Sequence, residues 1–466
     1  MSRRQQPGSP NGSAGGSGHG DAGGSATLAT TPITDTRIAA AQIVGEVRGG
    51  ELLDAAFDRR TARLDARDRR WTRELVYGSL RRRSVLDSYL NQRVKGGFSR
   101  IDVELVDLLR LGAYQLLFMG SVPAYAAIGQ TVELAKRRHG VGASKLVNAV
   151  LRRLDREREQ LTLPPTSDPI EALALEQSHP VWLVARWSAR WGIEETRRLL
   201  AANNTEAPLV ARPVHVVREQ LEASLEAADV HVEDAPLVRD SLVLAGPIAS
   251  LTELSAFRKG QFHLQDPAST LVAMYAAVPP GATVADVCAA PGGKSIELSR
   301  SAGHVFASDM SFQRLRRVRE NIDRLDLDNV FAFVADARRP ATRAVEFVLL
   351  DAPCTGTGTF RRHPDARWRL KPSDLAVLPA MQRDLLRSAA QNVRVGGLLV
   401  YSTCSIEPEE NDAQVELFLR ENAGWRLEPP PAGTIPESVL DGGYLRVLPH
   451  VHGTDGAFAA RLRRSA

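Results

Sequence analysis

From Gln265 onward, five apolar runs alternate with helical stretches, and four of the five end on an Asp or a Cys. The runs are Thr283–Val287, His304–Asp309, Asn329–Asp336, Phe347–Asp351 and Leu398–Cys404, with stretches such as FQRLRRVRENIDRL and PAMQRDLLRSAAQNV between them. Apolar strands separated by helices predict a parallel sheet covered on both faces. In an open sheet of that kind, ligands bind at the carboxyl ends of the strands. Asp309, Asp336, Asp351 and Cys404 would reach one rim, together with the loop that begins at Cys288.

That loop reads CAAPGGKS, from Cys288 through Ala289, Ala290, Pro291, Gly292, Gly293 and Lys294 to Ser295. Pro291 fixes a turn, and the two glycines let backbone amides come close to a ligand. The spacing is neither GxGxxG nor a P-loop, which disfavours a dinucleotide or ATP. Asp309 is placed to accept from ribose hydroxyls and Asp336 to meet an adenine. A nucleoside without a pyrophosphate fits, and S-adenosyl-L-methionine is one. Lys294 either touches the substrate or only solvates its helix end.

The three cysteines, Cys288, Cys354 and Cys404, have neither CxxC spacing nor a neighbouring His, so neither a disulfide framework nor a bound metal is expected. No apolar run is long enough to span a membrane, and the Gly/Ser-rich residues 1–34 lack the apolar stretch of a signal peptide. They read as a disordered tail on a cytoplasmic protein. Residues 35–160 read as a compact all-α domain. Asp102 is a candidate helix cap and Gly140 a helix stop. Lys and Arg outnumber Asp and Glu here, whereas the remainder is slightly acidic, as suits docking on a phosphate backbone. Residues 161–264 read as a Pro-rich linker and a small mixed subdomain, and 265–466 as the Rossmann-like domain. Trp182, Trp187 and Trp191 read as core rather than as a base-stacking platform.

The segments CAAPGGK, DAPC (Asp351 to Cys354), RRHPD (Arg361 to Asp365), YSTCS (Tyr401 to Ser405) and QDPAS (Gln265 to Ser269) resemble the RNA 5-methylcytosine methyltransferases. The runs DRRWTRELVYGSLRRRSVLDSYL and KLVNAVLRRL resemble the NusB-like domain of that family's bacterial Sun (RsmB) branch. The resemblance extends from about Thr36 to the C-terminus, with Ser295 standing where Thr is commoner. It implies an α/β Rossmann-like S-adenosylmethionine-dependent methyltransferase domain behind an all-α NusB-like RNA-binding domain. It further implies action on small-subunit ribosomal RNA, and nothing in the sequence demands more than a monomer.

Methylation at carbon 5 of cytosine needs a thiolate to add at carbon 6. Cys354 and Cys404 are both candidates on the residues alone. The resemblance makes Cys404 the nucleophile and gives Cys354 a role in product release, as proton acceptor or donor. It has Asp351 hold the base edge, with a possible second contact to the cofactor. Cys288 reads as structural, with its backbone lining the loop. Arg361 and Arg362 are expected on RNA phosphates, and His363 reads as a loop-shaping residue more than as a general base. Two other readings stay open here: a transfer RNA cytosine-C5 methyltransferase, and a non-catalytic RNA-binding or antitermination factor.

Overall fold

The computed structural model describes residues 33–465 apart from 247, 249 and 340. The tail expected over residues 1–34 lies outside the described residues except for its last two. Ile33 is buried, and the Thr34 amide donates to Gln130 Oε1 at 3.0 Å, so both belong to the helical unit that follows.

That unit comprises α1 (Asp35–Arg48), α2 (Leu53–Thr61), α3 (Ala66–Arg81), α4 (Arg83–Asn91), α5 (Val103–Phe118) and α6 (Ala124–Arg156). They enclose a core that includes Ile43, Leu86, Leu109 and Leu151. Asp102 caps α5 by accepting from the Glu104 amide at 2.7 Å. At Gly140, with φ +82° and ψ −175°, α6 breaks, and a second helical segment starts at once. The stop expected at Gly140 is therefore a kink between two segments.

Three helices, Pro169–Glu176, Val181–Trp191 and Ile193–Asn203, come next. Trp187 lies at the centre of their core, fully buried, and its Nε1 donates to Glu407 Oε1 at 2.9 Å. This indole is closed to any base. A four-stranded antiparallel sheet follows in the order β2-β3-β1-β4, from β1 (Leu209–Pro213), β2 (His231–Asp234), β3 (Leu242–Ala245) and β4 (Phe262–Leu264).

The large sheet contains β5 (Thr283–Asp286), β6 (His304–Asp309), β7 (Val330–Val334), β8 (Val345–Asp351), β9 (Val393–Thr403), β10 (Trp425–Leu427), β11 (Leu440–Asp441), β12 (Tyr444–Val447) and β13 (Ala457–Arg464). Its order is β11-β12-β13-β9-β8-β5-β6-β7, with β10 on β13. Side chains alternate between its faces, as the strand period of two requires. Phe347, Leu349, Leu398 and Val400 enter the core on one side, and Val348, Leu350, Leu399 and Tyr401 enter the other. The sheet is parallel only from β7 to β9; β13 runs antiparallel to β9. The five strands expected from the sequence do pair in parallel, and β13, which the sequence reading did not assign, makes the sheet mixed. The strand signal of AFAARLRR is diluted by its arginines, of which Arg461 is buried and Arg463 pairs with Glu428.

α2 joins the helical unit to the catalytic rim. One turn apart on it, Asp54 pairs with His363 at 3.2 Å and Asp58 with Arg317 at 2.9 Å. Trp368 Nε1 also donates to the Leu80 carbonyl at 2.8 Å. No helix among the described residues is long and apolar enough to cross a membrane.

Within the helical unit, α3 and α5 approach so closely at Gly78 that a Cβ there would lie 1.9 Å from the Tyr114 hydroxyl. Gly78→Ala is expected to destabilise the protein by about 1–3 kcal/mol through overpacking. Gly129→Ala in α6, where a Cβ meets nothing within 4 Å, is expected to gain about 0.5–1 kcal/mol. Urea unfolding of the two variants checks both signs.

Candidate active site

β5 sits at the centre of the parallel strands, with β6 and β7 to one side and β8 and β9 to the other. The chain changes direction across the sheet at β5, which opens a crevice over the strand ends. The loop from Cys288 to Lys294 turns there. Its Ala289 amide donates to the Ser308 carbonyl at 2.9 Å, and Gly292 has φ +103°. Any other residue at 292 would be strained, and its Cβ would stand 3.1 Å from Val318. The Cys288 thiol packs against the core under the sheet, and burial pushes its pKa up to about 12.

A cleft of about 350 Å³ opens beside this loop. It is lined by Gln265, Asp266, Asp286, Lys294 and Asp351 among others. Asp286 is fully buried; its Oδ2 accepts from Ser295 Oγ at 2.6 Å, while its Oδ1 has no partner in the protein. Burial, reinforced by the nearby Asp351, pushes its pKa to about 7 against the Ser295 hydrogen bond. The sequence reading passed over Asp286, although it shows the same pattern as Asp309: an acid at the end of an apolar strand.

Asp351, at the end of β8, accepts from Lys294 Nζ at 2.7 Å on one oxygen and from Ser402 Oγ at 2.8 Å on the other. Burial disfavours the charge on Lys294, but Asp351, with help from Cys404 and Asp286, outweighs it and raises the ammonium pKa. The loops after β8 and β9 then bring Cys354 Sγ and Cys404 Sγ to 3.2 Å. Lys294, Asp351, Cys354 and Cys404 therefore gather at one point on the rim.

Asp309 stands nearby but nearly buried. It accepts from the Ala290 amide at 3.3 Å and the Ser311 amide at 2.9 Å, and it pairs with the exposed Arg314 at 3.0 Å. Asp336 is not brought into the cleft. It borders a separate crevice with Val287 and Ser308, and Arg338 binds its carboxylate and holds its pKa down at about 2.

Arg361 and Arg362 are not free for phosphates. Both straddle the Asp266 and Asp455 carboxylates at 2.7–2.9 Å, and Arg361 also donates to the Gly453 carbonyl. RNA contact by Arg361 is corrected to an internal clamp, because two buried carboxylates that face each other need cations between them. Burial works against the charged form of His363, but the Asp54 carboxylate outweighs it and raises the pKa. His363 thereby ties the RRHPD loop to α2. Glu410 was also missed in the sequence, since EPEEN reads as a polar surface run; it is fully buried between the two cysteine loops. No cluster of metal-ligating side chains occurs among the described residues.

A family model described as "16S rRNA methyltransferase RsmB/F" matches residues 273–463. A NusB family model matches residues 34–156, and a ferredoxin-like domain of RsmF/B-like methyltransferases matches 179–250. The chain is 36% identical over 88% of its length, and 95% of the relative's, to the probable ribosomal RNA small subunit methyltransferase B of Synechocystis sp.. The chain belongs to the ribosomal RNA small subunit methyltransferase B family. The Pseudomonas syringae member is 35% identical, across 92% of this chain and 97% of its own. Among solved structures, that of PH0851 superposes with a TM-score of 0.77 at 27% identity, covering 93% of this chain and all of that one. NSun6 from Pyrococcus horikoshii, solved with SFG, shares the fold at a TM-score of 0.54 and 23% identity, over 60% of this chain and 97% of its own.

Two expectations follow for the site. Arg361→Ala leaves Asp266 and Asp455 short of a cation and should cost about 3–5 kcal/mol of stability in urea unfolding. For Asp286, the folded pKa of about 7 lies above the ordinary 3.8. Its contribution to stability is full below about pH 4 and is lost as the pH rises through about 7. Urea midpoints measured across that window should fall more steeply for the wild type than for Asp286→Asn.

Proposed function

We propose that the protein transfers a methyl group from S-adenosyl-L-methionine to carbon 5 of a cytosine in small-subunit ribosomal RNA, in the cytoplasm, with Cys404 as nucleophile. The observation that carries this reading is the approach of two thiols to 3.2 Å beside a lysine–aspartate pair. The names of the family's members support the substrate.

The residues present fit the cofactor. Asp286 Oδ1 is a buried acceptor with no partner, on the wall of a cleft beside a glycine loop. The loop from Cys288 to Lys294 would hold the cofactor, with Asp309 toward the ribose once the exposed Arg314 moves aside. Bound there, S-adenosyl-L-methionine supplies an electrophilic methyl group.

Cytosine carbon 5 is a poor nucleophile until a thiolate adds at carbon 6. Cys404 performs that addition and Asp351 holds the base edge at N3 and N4, while the neighbouring Lys294 ammonium offsets the negative charge that develops in the ring. Lys294 pairs with Asp351 and places a positive charge near the Cys404 sulfur. After methylation a solvent water takes the carbon 5 proton, and the electron pair left behind breaks the sulfur–carbon bond and releases Cys404 as thiolate. Cys354 donates a hydrogen bond to that leaving sulfur. The target base has to leave any stack to reach this point, so an unpaired or flipped cytosine is required.

The test is covalent trapping with unmodified small-subunit ribosomal RNA and labelled cofactor. Cys354→Ala protein should accumulate a slow-migrating protein–RNA adduct on a denaturing gel, and adding Cys404→Ala should abolish it. An adduct that persists in the double variant would place the nucleophile elsewhere. Absence of RNA labelling by the wild type would overturn the substrate.

A further inference from the structure

Two thiols 3.2 Å apart share a proton, and whichever sulfur holds it is the poorer nucleophile. The reaction proposed above requires the proton to stay on Cys354. Both cysteines leave the same sheet edge on adjacent strands, so nothing in their own geometry separates them. Their charged surroundings do.

Glu410 is the largest difference. Its Oε1 accepts from the Thr355 amide at 2.9 Å and from Gln382 Nε2 at 2.9 Å, and its Oε2 accepts from the Thr355 hydroxyl. Gln382 Nε2 also donates to the Pro353 carbonyl at 2.9 Å. The residues on both sides of Cys354 are thus tied to one carboxylate and its amide neighbour. Among the described residues no Lys or Arg forms an ion pair with Glu410. Neutral donors alone surround it, so its charge is not cancelled locally and is felt at Cys354.

We propose that Glu410 is a positioning residue for the cysteine pair: its buried carboxylate keeps the shared proton on Cys354 and leaves Cys404 as the reactive sulfur. This rests on the reading that Cys404 attacks the base. The groups that face the pair are consistent with it. Cys354 meets Glu410 and Cys404 and lies near Tyr401, whereas Cys404 lies within electrostatic reach of the Lys294 ammonium. The hydrogen bond to Cys404, burial and the Glu410 charge together push the Cys354 thiol well above its ordinary pKa. Burial raises the Glu410 pKa despite its hydrogen-bond donors, so the arrangement weakens as the solution becomes acidic.

The test is iodoacetamide labelling of the full chain across a pH series, with each cysteine quantified by mass spectrometry. In the wild type, Cys404 should label at lower pH than Cys354; the reverse order, or no order, overturns the proposal without any variant. In Glu410→Gln, which keeps the shape and loses the charge, the Cys404:Cys354 ratio should fall about tenfold, equivalent to one unit of relative acidity. Glu410→Asp should restore part of it. Thr355→Val removes a hydrogen bond and keeps the charge, so it should leave the ratio in place. An unchanged ratio in folded Glu410→Gln, or an equal fall in Thr355→Val, would reduce Glu410 to a loop tie. RNA methylation assayed in parallel separates the two readings: a ratio that responds to Glu410 in a wild type that methylates no RNA supports the proton placement and overturns the substrate alone.

Discussion

The parallel pairing of β8 with β9 is the contact on which the site depends. Its register sets Asp351 opposite Ser402, and the Ser402 hydroxyl donates to Asp351 at 2.8 Å. Each chain then has a few residues in which to turn outward, and in that space Cys354 and Cys404 meet. Slipping the register by one residue would send every side chain of the strand to the opposite face. Phe347 to Leu350 and Leu398 to Tyr401 are apolar and buried on both faces, and the first polar residues after them, Asp351 and Ser402, are paired by the register.

Beyond the strand ends, hydrogen bonds tie the loops to one another. The Gly358 amide donates to the Cys404 carbonyl at 3.0 Å, and the Gly456 amide to the Gly358 carbonyl at 2.7 Å. A Cβ at Gly358 would stand 2.6 Å from the Cys404 carbonyl oxygen. The Thr403 hydroxyl donates to Asn411, and Asn411 donates to the Ser405 carbonyl at 2.9 Å. Rigid support of this kind keeps a reactive group in place when its substrate arrives. The cluster of Arg361, Arg362, Asp266 and Asp455 joins the same loop to β13 and to the helix after β4, so distant parts of the chain brace a few reactive residues.

The charges divide the site. Lys294 and Asp351 form one balanced pair at the substrate side, while Glu410 lies behind Cys354 with neutral partners only. In a buried setting, charges act over distances that water would otherwise screen. Two chemically identical thiols can therefore differ in role through the groups behind them.

Much of this was legible in the sequence. Strand–helix alternation, with Asp309, Asp351 and Cys404 at strand ends, follows from local period and composition, since each strand buries its own apolar residues. The glycine loop was legible because a proline followed by two glycines, Pro291 to Gly293, marks a turn. The arginines of RRHPD and the acids of EPEEN were not, because a charged residue in sequence looks the same whether it faces water or a partner ninety residues away. Asp455 and Glu410 acquire their meaning only when β13 inserts beside β9 and the two cysteine loops close on each other. The sequence by itself determined the fold class and the chemistry available at the rim. Which cysteine is paired with which charge was decided by the tertiary structure, because electrostatic energy depends on distance in space and not along the chain.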